Sequence, residues 1–168
     1  MKTKVVFFLA ILTLCSFFYS QTEPNWTTLE FKNYQIEHPS DARIIKNSFK
    51  STFSIYFNVK DKVTMEINDL SGYMLTLDSY TQQFFDTFFR SSTVRVLEKK
   101  RLNLNNQPCY RIIAVVDDGH GEITFKTMVY IWVKNNWAYN LKYVAAPTKY
   151  EDYLPIAHKI ASSFKYTK

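Results

Sequence analysis

Asp117, Asp118, His120 and Glu122 place three carboxylates and an imidazole within one short run. Such a donor set is of the kind that holds a divalent cation at a loop. The spacing matches neither H-x-x-x-H nor a calcium-loop pattern. Gly119 and Gly121 lie in the same run, and acidic residues with glycines are also what a tight, solvated turn requires. Arg95, Lys99, Lys100 and Arg101, tempered by Glu98, form the densest basic stretch. With Lys60 and Lys62 it is suited to phospholipid, lipopolysaccharide or an acidic partner. Its plainer reading is the charged turn of a hairpin between Val94–Val96 and Leu102–Leu104. Phe84-Phe85 and Phe88-Phe89 come just before it, paired around a helical segment, so one ring of each pair should face away from the core. Phe85 and Phe89, with Arg95, Lys99 and Arg101, are therefore the expected partner-contact residues. The competing reading is that residues 40–50 or 68–75 fold over these rings.

Catalytic patterns are missing. His38, His120 and His158 fall in separate segments, and no G-x-S-x-G occurs. With three glycines in 168 residues there is no G-x-x-x-x-G-K-[ST] and no G-x-G-x-x-G. Cys109, between Pro108 and Tyr110, reads as a small buried hydrophobe rather than a nucleophile. The expectation is a non-enzyme without a cofactor; an envelope hydrolase would need a deep polar pocket that no motif marks.

The elements that must position these residues are mostly strands. Phe53, Ile55 and Phe57 alternate with polar neighbours, as do Val63, Met65 and Ile67, and Ile112, Ala114 and Val116. The run from Ile123 to Val133 is polar on one face at its start and apolar on both at its end, which predicts an interior strand covered on both sides. Asn105-Asn106, Asp117–Gly121 and Asn135-Asn136 read as hairpin turns, so the strands should be antiparallel. Thr76 and Asp78 open a helix running to about Arg90. Thr148 to Glu151 reads as a capping box, with Pro155 splitting off a short turn from a main helix.

Lys2 and Lys4 precede an apolar run from Val5 to Leu14 that continues through Tyr19 and stops at Ser20-Gln21. This is the pattern of a cleaved secretory signal peptide spanning 1–20, with an uncleaved anchor as the alternative. Bulky Leu14 before Cys15 and the apolar residues after it argue against lipidation there. Cleavage leaves one domain, 21–168, without a transmembrane segment, and Cys109 without a partner cysteine. Export also disfavours nucleic acid as a partner, for which no recognition motif is present.

Several signatures stand in one order: Trp26, Tyr34–Asp41, Thr76–Tyr80, Leu104–Arg111, Trp137–Tyr143, then Tyr153-Leu154-Pro155 leading to Ala161–Lys165. Together they resemble the PsbP-like family, which includes the DcrB-type periplasmic proteins. The resemblance implies an α+β fold, an antiparallel sheet flanked by helices on both faces as an α-β-α sandwich. It departs from the family at Ala42, where many relatives have tryptophan, and at Asn106, where glycine is usual. The family shares no active site. It implies an exported binding or accessory protein, periplasmic or secreted, acting on another protein or the envelope surface. The alternative is a small-ligand or divalent-metal-binding protein using Asp117, Asp118, His120 and Glu122. Mass spectrometry of the exported chain is expected to find Gln21 as its first residue.

Overall fold

A computed structural model describes residues 24–31, 33–47, 51–58 and 61–167. The leader at 1–20, with Cys15 in it, and the basic residue Lys60 lie outside the described residues. Ten strands and two helices are described: β1 (Trp26–Phe31), β2 (Tyr34–Pro39), β3 (Arg43–Asn47), β4 (Thr52–Tyr56), β5 (Lys62–Asp69), α1 (Leu77–Phe88), β6 (Val94–Leu104), β7 (Gln107–Asp117), β8 (Ile123–Lys134), β9 (Trp137–Ala145), α2 (Tyr150–Ser163) and β10 (Lys165–Tyr166). They form a seven-stranded sheet, ordered β3-β4-β5-β9-β8-β7-β6, and a three-stranded sheet, β1-β2-β10. Every strand pairing is antiparallel. The chain is α+β.

β8 is interior, between β7 and β9, and Thr127 to Trp132 are all buried. Alternation sends its side chains into two separate apolar clusters. Met128, Tyr130 and Trp132 join Ala157, Ile160 and Phe164 at α2, together with Leu29, Tyr34 and Ile36 of the small sheet. Val129 and Ile131 join Leu77, Tyr80 and Phe84 of α1. The first cluster absorbs most of the aromatic content. Trp132 stacks on Phe164 with ring centroids 4.5 Å apart, Tyr139 lies 5.4 Å from Phe164, and Tyr143 lies 5.0 Å from Tyr150.

Local chemistry explains the connections. Asn105 and Asn106 have φ of 50° and 59°, and Asn135 and Asn136 have φ of 50° and 61°. Both central residues of a two-residue hairpin need positive φ, which asparagine tolerates, so Asn106 replaces the family's glycine without changing the turn. Thr76 caps α1: its hydroxyl accepts from the Ser79 amide at 3.2 Å, and the Ser79 hydroxyl accepts from the Thr76 amide at 2.8 Å. The capping box lies here rather than before α2.

Three expectations are corrected. Residues 94–104 form one eleven-residue edge strand, not a hairpin around a charged turn; an irregularity between Val96 and Glu98 takes up Leu97. The opening of α2 has no side-chain cap, since Lys149 occupies that position. Pro155 does not split α2, which runs unbroken through it. Tertiary contacts hold the first turn in place of local signals: Tyr150 is buried, its carbonyl accepts from the Tyr143 hydroxyl at 2.8 Å, and Lys126 bridges to Glu151 at 2.7 Å. Proline still removes the amide that would bond the Glu151 carbonyl. Pro155→Ala at this exposed position is expected to stabilise the protein by about 1–3 kcal/mol, read as a higher urea midpoint with unchanged slope.

Candidate binding surface

α1 covers the part of the large sheet that carries Ile112, Val129, Ile131 and Ala138. Its buried stripe, Leu77, Tyr80, Thr81 and Phe84, has the spacing of one helical face. Polar groups fix its seat, because the Tyr80 hydroxyl accepts from Asn140 Nδ2 at 2.7 Å and Asn68 Nδ2 at 3.1 Å. From β6, Lys99 Nζ donates to Gln82 Oε1 at 2.9 Å and sits 4.5 Å from the Phe85 ring centre. Arg101 bridges to Asp78 at 3.4 Å, and the Tyr110 hydroxyl donates to the other oxygen of Asp78 at 2.8 Å.

The expected contact residues are thus divided. Phe85, Phe89, Lys99 and Arg101 meet around α1, and Phe85 and Phe89 are half-buried against the apolar cluster. Arg95 pairs with Val115 on the opposite side of the sheet. Within the ring pairs, Phe84 is 5% exposed and Phe88 54%, so Phe88 rather than Phe89 turns outward. Residues 68–75 do not close over it; Tyr73 and Met74 are themselves exposed.

Two depressions run beside α1 and share Phe84 and Phe88. One, of about 230 Å³, lies between Asn68, Leu70, Tyr73, Leu75 and Tyr80. The other, of about 200 Å³, is bounded by Phe89, Val94, Val116, Phe125, Lys142 and Val144. Its walls are almost wholly apolar, and Phe125 at 46% and Ile123 at 40% exposure extend the surface beyond the helix. Phe125, Lys142 and Val144 were not singled out from the sequence. For Phe125 the signal was the apolar register at the polar end of β8, where Ile123 and Phe125 remain partly exposed.

The acidic run at 117–122 serves its turn. Asp117 Oδ1 accepts from the Gly119 amide at 2.8 Å, and Asp118 Oδ1 accepts from the His120 and Glu122 amides at 2.8 and 3.2 Å. Among the described residues, no three His, Cys, Asp or Glu side chains are grouped to hold a metal ion. Among those residues, too, no helix is long and apolar enough to cross a membrane. His38 is buried and its Nδ1 donates to the Pro39 carbonyl at 2.7 Å. Burial pushes the Cys109 thiol up to about 11, leaving little thiolate near neutral pH.

On the α2 side, Arg111 forms two bonds to Glu98, at 2.8 and 3.1 Å. The Tyr130 hydroxyl bonds His158 Nδ1 at 2.8 Å. Burial and then the Arg111 charge lower the His158 pKa, with Glu98 opposing. The folded chain therefore takes up this proton at lower pH than the unfolded chain.

No protein-family model matches the chain, and no curated protein does. Among solved structures it is similar to the cyanobacterial PsbP (CyanoP) of Synechocystis, at 11% identity and a TM-score of 0.64, covering 88% of this chain and 96% of that one. It is also similar to Mog1p, a Ran-binding protein of Saccharomyces cerevisiae, at 5% identity and 0.56, covering 86% and 97%. LpqN of Mycobacterium tuberculosis, involved in cell envelope biogenesis, gives 11% and 0.54, covering 86% and 91%. At these identities the likeness is one of fold, and the fold is PsbP-like, as the sequence motifs implied.

The His158 linkage has a definite sign. Stability tied to neutral His158 is whole above the ordinary value of 6.5 and is lost as pH falls through the lowered folded value. Urea midpoints should drop between pH 7.5 and 5.5 in the wild type, and His158→Gln should remove that part of the drop.

Proposed function

We propose that this chain is an exported, non-catalytic accessory protein that binds another protein through the groove between α1 and the large sheet. One observation carries the reading. Phe88 and Phe125 stay half-exposed over an apolar trough on a sheet face that α1 only partly covers. Burying such a surface against a partner is favourable by roughly 25 cal/mol per Å² of apolar area, before the costs of association.

The sequence-derived contact set narrows accordingly. Phe89 stays in it, beside Phe88. Phe85, Lys99 and Arg101 brace α1 and set the groove's shape. The fold neighbours lend general support: Mog1p is named for binding a protein, and LpqN for a role at the cell envelope. The two helices, one against each apolar cluster, favour describing the molecule as a three-layer α-β-α sandwich. The N-terminal leader motif supports a periplasmic or secreted location.

A photo-crosslinking residue placed at Phe88 is expected to give a discrete protein adduct in the envelope fraction. The same residue at Lys100, exposed on the other side of β6, should give none. Val144→Asp should reduce the Phe88 adduct about tenfold, since a carboxylate set into the apolar wall of the trough must be desolvated when a partner docks. Equal adducts from both positions would overturn the assignment.

A further inference from the structure

The cations facing the open part of the sheet differ from those around α1. Arg43, Tyr56, Lys62 and Val144 are direct register partners across β3, β4, β5 and β9, on the side that carries α1. Lys142 follows one register step along β9, facing Thr64 and Val129. Arg43 lies 4.7 Å and Lys62 5.3 Å from the centre of the Tyr56 ring, and Lys142 lies 5.8 Å from that of Phe88. Lys99 and Arg101 are occupied by Gln82 and Asp78, but among the described residues no carboxylate is within ion-pair reach of Arg43, Lys62 or Lys142. Among the described residues of β3, β4, β5 and β9, Glu66 is the acidic residue on that side, so on these four strands Arg43, Lys62 and Lys142 oppose one anion.

Resting on the groove reading above, we propose that its occupant is an acidic protein segment. An apolar side chain seats beside Phe88, and the following carboxylates meet Lys142, Lys62 and Arg43. The dimensions suit this. Strands lie about 4.8 Å apart, so Arg43 on β3 is roughly 15 Å across the sheet from Val144 on β9. An extended segment covers that distance in about four or five residues. Lys142 is half-buried beside Phe88, where a single side chain reaches it and the plane of a lipid headgroup layer does not. The aromatic backing holds the cations in place without neutralising them, so little charge pairing must be broken on docking.

The probes are a fluorescein-labelled peptide with a Leu-Phe pair followed by four acidic residues in five, its lysine-for-acid counterpart, and vesicles of phosphatidylglycerol. The acidic peptide is expected to bind at least tenfold more tightly than the basic one, and increasingly weakly as salt rises. Lys62→Glu/Lys142→Glu should weaken it at least tenfold. Lys142→Met, which keeps the volume, should weaken it about threefold, with near-ultraviolet circular dichroism confirming the fold of both variants. Equal binding of the two peptides, or unchanged binding by the double variant, overturns the acidic-segment proposal. The groove reading survives that result if the Phe88 adduct persists. Vesicle binding lost in the double variant without peptide binding also overturns the proposal, and assigns the cations to lipid.

Discussion

Size mismatch between a helix and a sheet governs the surface of this protein. α1 has twelve residues and is therefore about 18 Å long. Seven strands about 4.8 Å apart make a sheet roughly 29 Å wide between its outermost strands. A single short helix cannot cover that width. On the opposite face α2 is joined by the three-stranded sheet, and their combined side chains seal the aromatic cluster around Trp132 and Phe164. No such companion stands beside α1 among the described residues. On that side an apolar cluster lies over β7, β8 and part of β9, while β3, β4 and β5 present threonine, serine, tyrosine, asparagine and charged residues, with Ile45 of β3 exposed among them.

Much of this order was legible in the chain. Strand faces in β5 and β8 follow from alternation, and the asparagine pairs fix two hairpins because few residues tolerate positive φ twice in succession. What misled was local information where tertiary contacts decide. Pro155 is a helix breaker on its own, yet burial of Tyr150 and Ala157 and the Tyr143 hydroxyl bond outweigh it. The basic stretch at 95–101 looked like a turn because charges crowd there, but an edge strand needs no apolar partner on its outer side. The site was legible in part. Ring pairs marked the helix that borders the apolar trough, whereas which ring faces out depends on the direction in which the helix crosses the sheet. The Arg43–Tyr56–Lys62 row depends on register across three strands, which no single-strand pattern contains.

Charge is used in two ways. Where it supports structure it is paired at close range: Arg111 with Glu98 under α2, and Arg101 with Asp78 at the start of α1. These pairs are partly exposed and each contributes modestly to stability: Arg111–Glu98 ties β7 to β6 within the sheet, and Arg101–Asp78 ties α1 to β6. On the open face the cations instead lean on aromatic rings, which leaves their positive potential available to solvent. The same residue types therefore serve as paired struts elsewhere in the molecule and as an exposed field on the open face.

The two borders of the large sheet also constrain how anything can join it. β6 runs eleven residues along one border but carries Arg95, Lys99, Lys100 and Arg101 and an irregularity at Leu97, while β3 on the other border has only five residues, among them Arg43 and Lys46. Neither offers a long, flat, uncharged row of free amides and carbonyls for an added strand. The proposed recognition therefore uses side chains on the face rather than main-chain pairing along a border. The proposed segment is then selected for where its apolar and acidic groups fall, and its backbone conformation is free to vary. Crowded copies of the protein are kept from pairing edge to edge by the same two borders.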